Sequence, residues 1–275
     1  VDLVRLLYRS GQEPMLGGRL QDVSLMFTDI KDFTTLAERL SPDDLARLLG
    51  RYLEVMTAAI HAEGGTIDKY IGDSIMALWN VPLPTADHPR KACAAALAAA
   101  AAGQALCRSP GWGDQPSLVT RFGLHRDQVL VGHFGAPDRL SYTALGDGVN
   151  LASRLEGLNK AYGTTILASE AIRAEAEPWF EFRLVDKVAV KGKSQGVKVY
   201  ELLGAKGRPA EQLERTRLYE VAFEAYLHQD FAAALAILDT QKDDGPSLVL
   251  AGRCRGFLVS PPPADWNGIY VATSK

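Results

Sequence analysis

Cysteine is scarce in this chain of 275 residues. Cys93, Cys107 and Cys254 are the only three, and their spacing is neither paired nor metal-like. A disulfide scaffold and a thiolate zinc site are therefore excluded, and an odd, sparse count favours a reducing compartment. There is no excess of positive charge either. Lys and Arg number 30 against 33 Asp and Glu, a net charge of −3, so no basic footprint for nucleic acid is present. His125 and His133 have no second histidine at ligand spacing, and His61 reads as a partner of a helix C-terminus. The longest apolar run, "ACAAALAAAAAGQALC" (92–107), is mostly alanine and too short to span a bilayer. No secretory leader is evident. Val1 stands where a complete chain would have Met, which leaves room for a sensor or membrane segment upstream. The expected setting is the cytoplasm, with membrane anchoring through such a segment left open.

What the chain does have is strong apolar periodicity. It is 47% hydrophobic and 23% charged, ordinary for a globular protein, and long enough for one large domain plus an appendage. Residues 1–19 read as an amphipathic lead and linker. "VSLMFTDI" (23–30) reads as a buried strand. Ser41 is the expected N-cap of a helix, with Pro42 at its first position and Asp43 and Asp44 in the electropositive first turn. Apolar residues then recur with a 3.6 period from Leu45 to Ile60, and "EGG" (63–65) stops the helix. "DKYIGDSIMALW" (68–79) reads as a hairpin with Gly72 and Asp73 at its tip. Further on, the pattern predicts a helix over about 90–107 and a second hairpin from "LVTRFGLH" (118–125) and "QVLVGHFG" (128–135). An irregular segment (136–148) and a helix over 149–163 follow. Strands are predicted in 164–169, 179–190 and 196–204, the last two joined by the basic turn "KGKSQ". Alternating strands and helices with frequent hairpins point to an α+β fold with a mixed sheet flanked by helices. After a linker (204–212) the pattern becomes all-helical. Two segments that break near "HQD" (228–230) read as a tetratricopeptide-like helix pair. Such a pair cannot bury its own face and needs the main domain or a partner. "SPPPADWNGIYVATSK" (260–275) reads as an extended strap.

Several residues along this frame could carry chemistry. Asp29 stands at the end of a buried strand and Asp73 in a hairpin turn, and each alone is explained as a cap or turn residue. If their strands are neighbours, both carboxylates leave the same edge of the sheet. Two hard oxygen ligands with room for water and phosphates suit Mg²⁺. Asn150 and Arg154 share one helix face off the leucine stripe, where the guanidinium could stabilise charge on a phosphoryl group. On these residues alone, a solvated i,i+4 polar pair is the better reading. Arg121 and Lys191, taken singly, are ordinary surface charge. Lys69 interrupts a strand with no structural reason.

The order of these pieces is more specific than any one of them. "MFTDIKDFTTLAE", "GGTIDKYIGDSIMALW", "RFGLHRDQVLVGHFG", "YTALGDGVNLASRLE" and "VKGKSQGVKVYEL" together resemble the class III nucleotidyl cyclase catalytic domain, over about residues 20–204. The resemblance implies a ferredoxin-like, cyclase-type sheet there, followed by the small helical appendage and tail (205–275). It implies metal binding at Asp29 and Asp73, with Ile30 beside them, and a phosphate cradle in the backbone of Ile30, Lys31, Asp32 and Phe33. Asn150 and Arg154 would be the transition-state residues, and Arg121 and Lys191 would contact the triphosphate. Lys69 falls on the base-selecting lysine. Thr143 falls where vertebrate-type adenylyl cyclases carry an aspartate, and a threonine there resembles the subgroup that includes bicarbonate-responsive enzymes. A hydroxyl can receive the adenine 6-amino hydrogen but selects less sharply than a carboxylate. Guanylyl members usually carry an acidic residue at the lysine position, so Lys69 favours ATP. "HRDQ" (125–128) departs from the pattern, since a glycine is expected near Asp127.

The implied reaction is ATP to 3′,5′-cyclic AMP and pyrophosphate, with two Mg²⁺ or Mn²⁺ ions per site. The implied partner is a second copy of the chain. Asp29, Asp73 and Arg121 of one copy would meet Lys69, Thr143, Asn150, Arg154 and Lys191 of the other, so that a homodimer holds two complete sites. Two alternatives stay open: a guanylate cyclase, and a catalytically inactive cyclase-like module for dimerisation or nucleotide sensing. A diguanylate cyclase is disfavoured because neither "GGDEF" nor "GGEEF" occurs.

Overall fold

The computed structural model describes residues 17–113, 116–136, 139–189, 196–263 and 265–269. Lys191, the rest of "KGKSQ" and residues 1–16 of the lead lie outside the described residues. Two long strands form the spine. β1 (Gly17–Ile30) and β4 (Thr120–Ala136) pair antiparallel without a break, from Gly17↔His133 to Ile30↔Thr120. β2 (Thr66–Ile71) and β3 (Ser74–Trp79) make the expected hairpin, with Gly72 at φ 65° in its turn, a conformation glycine adopts at no steric cost. On the other side of β4 lie β5 (Arg139–Leu145), β6 (Ile166–Ser169), β7 (Phe180–Val188) and β8 (Val197–Ala205). The eight strands run in the order β2-β3-β1-β4-β6-β8-β7, with β5 also on β4, and only the β4–β6 pair is parallel.

Alternation along β1 assigns the two faces of the sheet. Met26 and Ile30 enter one core with Tyr52, Met56 and Ile60 of α2 (Pro42–Ala62) and with Ala92, Ala96 and Ala99 of α3 (His88–Cys107). Alanine on α3 lets it lie close to α2. The cap of α2 is as expected: Ser41 Oγ accepts from the Asp44 N–H at 3.2 Å. Val23 and Leu25 face the opposite way, with Met76, Leu78, Val129 and Ala152 of α4 (Asp147–Tyr162). The approach of α4 requires Gly123: a Cβ there would sit 2.2 Å from the Ala152 carbonyl oxygen and 2.3 Å from the Glu156 nitrogen. Two short helices, α1 (Phe33–Ala37) and α5 (Glu170–Ala176), complete this part.

Four expectations are corrected. Residues 17–19 belong to β1, not to a lead. Residues 118–135 form no hairpin, because β4 is one strand of 17 residues that passes straight through "HRDQ". Those polar residues read as a turn, yet His125 and Arg126 find partners on neighbouring elements. His125 Nδ1 lies 2.7 Å from Ser169 Oγ, and Arg126 grips both oxygens of Asp22 and reaches Glu175 at 2.9 Å. The segment 136–148 is not irregular, since it contains β5, which returns along β4. The appendage is not a helix pair but three helices, α6 (Ala210–Leu227), α7 (Phe231–Leu238) and α8 (Gly245–Val259). α8 carries Gly245, Pro246, Gly252 and Gly256, and weak intrinsic propensity hides it.

The three helices enclose an aromatic core of Tyr219, Phe223, Tyr226 and Phe231, with Phe257 and Trp266 against it. Trp266 thus folds the start of the tail onto the helices. The appendage packs on its own domain. Tyr219 Oη donates to the Val185 carbonyl at 2.6 Å, and Arg183 bridges Glu201 and Asp244.

Candidate active site

Asp29 ends β1 on the face shared with α4, and its register partner is Arg121 on β4. Directly opposite residues in antiparallel strands share a face, so the guanidinium and the carboxylate emerge together. The hairpin turn is stitched onto the same place. Asp73 Oδ2 accepts from the Ile30 N–H at 2.9 Å, and Ser74 Oγ donates to Asp29 Oδ1 at 3.1 Å. The two aspartates expected to act together are therefore neighbours at one sheet edge. Burial, and then the adjacent Asp73 carboxylate, raise the pKa of Asp29. Such a pair fits a hard divalent cation, with water and phosphate oxygens completing the shell. No group of three His, Cys, Asp or Glu suited to a metal occurs among the described residues. A third carboxylate, Glu156 on α4, sits close enough to feel both aspartates and Arg121. Burial first, then Asp29, push its pKa up to about 7.

The backbone of 30–33 is less open than the resemblance implies. The Ile30 amide serves Asp73, and the Lys31 amide donates to the Val119 carbonyl at 2.8 Å. Asp32 turns the chain at φ 58°, leaving its own amide and that of Phe33 as the remaining donors of the four. Ile30 can meet a metal only through its carbonyl.

A second cluster forms elsewhere in the same chain. Lys69 Nζ donates to Thr143 Oγ1 at 3.1 Å, and Thr143 Oγ1 donates to Asp68 Oδ2 at 2.5 Å. β2 and β5 are far apart in the sheet order. β3 and β5 share one core, in which Tyr142 and Ala144 of β5 lie with Met76 and Leu78 of β3. The β2–β3 register shifts between Ile67 and Lys69, so Asp68 is the extra residue of a bulge. A bulge lets two consecutive side chains turn to one side. The Asp68 side chain is 1% exposed and that of Lys69 41%. Burial raises the pKa of Asp68, opposed by the Thr143 hydroxyl and Lys69.

Asn150 and Arg154 are both exposed on α4. Arg154 and Glu156 are two residues apart, roughly 200° around the helix. Glu156 faces Asp29, so Arg154 points away from the aspartates of its own chain. Asp68 and Glu156 escaped sequence reasoning. Asp68 adjoins Lys69 and Glu156 is two residues from Arg154, but only the bulge and the α4–β4 contact reveal their direction.

Residues 17–204 match the family model described as the adenylate and guanylate cyclase catalytic domain. The chain belongs to this family. It is 41% identical over 206 residues to "Adenylate cyclase 1" of Rhizobium meliloti (strain 1021), covering 74% of this chain and 30% of that protein. The solved adenylyl cyclase CyaB from P. aeruginosa superposes with a TM-score of 0.64 at 31% identity, covering 70% of this chain and 98% of that one. The guanylyl cyclase Cya2 superposes with a TM-score of 0.63 at 26% identity, covering 71% and 98%. The chain spans only 12% to 36% of the length of three curated cyclases it matches. Among the described residues no helix is long and apolar enough to cross a membrane.

Proposed function

We propose that this cyclase-family domain is an adenylate cyclase, converting ATP to 3′,5′-cyclic AMP and pyrophosphate. The ribose 3′-oxygen attacks the α-phosphorus in line. Its O–H bond breaks with the proton passing to solvent water, the O3′–Pα bond forms, and the Pα–O bond to the β-phosphate breaks as pyrophosphate leaves. The observation that carries the reading is the contact between Lys69 and Thr143. An ammonium can donate to the adenine ring nitrogen and a hydroxyl can accept from the 6-amino group. Guanine presents the reverse pattern at both positions.

Asp29 and Asp73 are the residues that would hold divalent cations, with Ile30 contributing its carbonyl. Such ions supply activation of the 3′-hydroxyl and neutralisation of the triphosphate. Arg121, beside Asp29, binds phosphate oxygens, and the free amides of Asp32 and Phe33 add donors. Asn150 orients the ribose. Arg154 stabilises charge at the α-phosphate and reaches it from a second copy, because it faces away from Asp29 in its own chain. The site is thus shared in a homodimer. Lys191 remains a proposed triphosphate contact on the family pattern alone.

The test incubates the purified chain with Mg²⁺ or Mn²⁺ and either ATP or GTP, with products separated by chromatography. Cyclic AMP as the main product is expected; cyclic GMP in excess, or no cyclic nucleotide at all, overturns the reading. The shared site is tested by mixing Asp73→Ala with Asn150→Ala chains. Each alone is expected to be nearly inactive, and the mixture to recover part of the activity through one intact site. Mutants that pair with each other and show no recovery overturn the shared arrangement.

A further inference from the structure

The base-reading cluster contains one more residue than the reaction needs. A threonine hydroxyl has one hydrogen and two lone pairs and can turn to present either. Left free, it would accept from adenine or donate to the guanine 6-oxo group with similar ease. Here it is not free. Thr143 Oγ1 donates to Asp68 Oδ2 at 2.5 Å, within the range of a charge-assisted O–H···O⁻ bond. Lys69 Nζ donates to the same oxygen at 3.1 Å. One lone pair remains, and the hydroxyl can only accept. The Asp68 side chain is 1% exposed, and the β-bulge between Ile67 and Lys69 aims it at Thr143.

We propose that Asp68 is a positioning residue for base selection: by taking the hydroxyl hydrogen of Thr143 it fixes the threonine as an acceptor and so restricts the substrate to the adenine nucleotide. It touches no substrate atom and acts through Thr143. The carboxylate that a threonine lacks is thereby restored one step behind it. The same carboxylate lies 3.6 Å from Lys69 Nζ, which holds the ammonium toward the base. This inference rests on the cyclase reading above.

The experiment compares kcat/KM for ATP and GTP in the homodimeric chain, its Asp68→Asn and Thr143→Val variants, and the double variant. An asparagine amide can donate to Thr143 and release the hydroxyl hydrogen toward the base. The ATP:GTP ratio is expected to fall about tenfold in Asp68→Asn, the scale of one hydrogen bond. It is expected to fall at least as far in Thr143→Val, and no further when both are combined. Asp68→Ser replaces Asp68→Asn if circular dichroism shows that the latter is unfolded. A ratio unchanged within twofold, even with both rates reduced, means a merely structural role and overturns the inference. So does a ratio in the double variant well below that of Thr143→Val. If the wild-type chain makes no cyclic nucleotide, the proposed activity fails. The same ratio, read from calorimetric binding of the α,β-methylene analogues of ATP and GTP, then decides on Asp68 separately.

Discussion

The backbone N–H of Ile30 donates to Asp73 Oδ2 at 2.9 Å, fastening the tip of the β2–β3 hairpin to the end of β1. That structural bond and the metal-holding role proposed for the same carboxylate are separated by two substitutions. Asp73→Ala leaves the buried Ile30 amide without its acceptor, at a cost of about 1–3 kcal/mol. Asp73→Asn keeps an acceptor oxygen and loses the charge. Both variants are expected to lose cyclase activity by about 10²–10³-fold. Only Asp73→Ala should lose that stability as well. Urea unfolding of the two proteins checks this, and equal midpoints would mean that the bond contributes nothing to the fold.

Glu156 gives the fold a pH dependence. Its carboxyl is pushed up to about 7 in the folded protein, from an ordinary value of 4.5, by burial and by Asp29. Between those values the native state binds the extra proton. Stability is therefore fully present below about pH 4.5 and is lost as pH rises toward 7. The group is only partly buried, so after screening about 1–2 kcal/mol is expected. Melting in EDTA should show Glu156→Gln more stable than wild type at pH 8 and equal to it near pH 4.5. A difference of the same size at both pH values would remove Glu156 as the cause.

How far the sequence reaches can be judged at particular residues. Ser41, Gly72 and the apolar period of α2 are local signals, and all three read correctly. "HRDQ" misled because strand polarity depends on partners distant in sequence: Asp22, Ser169 and Glu175 make His125 and Arg126 acceptable inside β4. α8 was hidden for the opposite reason, since tertiary packing in the appendage overrides its glycines. The Asp29–Asp73 pair was legible because it needs only neighbouring strands. The Lys69–Thr143–Asp68 cluster could not be derived from strand order, as it depends on a core shared by β3 and β5 and on a one-residue bulge.

Gly123 is where α4 touches the sheet, and it controls where Asn150 and Arg154 stand. A methyl group there would lie 2.2 Å from the Ala152 carbonyl oxygen, and backbone cannot yield as a side chain tip can. Gly123→Ala is expected to destabilise by about 1–3 kcal/mol, the range for overpacking, and to cut activity beyond what the unfolded fraction explains. Gly157→Ala on the same helix meets nothing within 4 Å and should be neutral or slightly stabilising. Chemical denaturation and activity on the two proteins, side by side, make the comparison. Similar behaviour of the pair would refute a tight α4–β4 contact.

Arg253 ties the appendage to α4. Its Nη1 donates to Asp186 Oδ2 at 2.6 Å, and its Nη2 lies 3.2 Å from Tyr162 Oη, at the C-terminal end of α4. Tyr162 also donates to Asp186, which is fully buried. Removing one partner of a buried ion pair costs about 3–5 kcal/mol, because the other charge remains without compensation. Arg253→Ala should therefore destabilise the main domain as well as the appendage. Replacing both charges, in Asp186→Asn with Arg253→Met, should recover much of the loss, since a neutral pair no longer carries the desolvation penalty. Hydrogen exchange at the end of α4 and thermal melting report the two effects separately. If Arg253→Ala opens only α6 to α8 and leaves exchange in α4 unchanged, the appendage is docked on the cyclase domain without being coupled to the helix that carries Asn150 and Arg154.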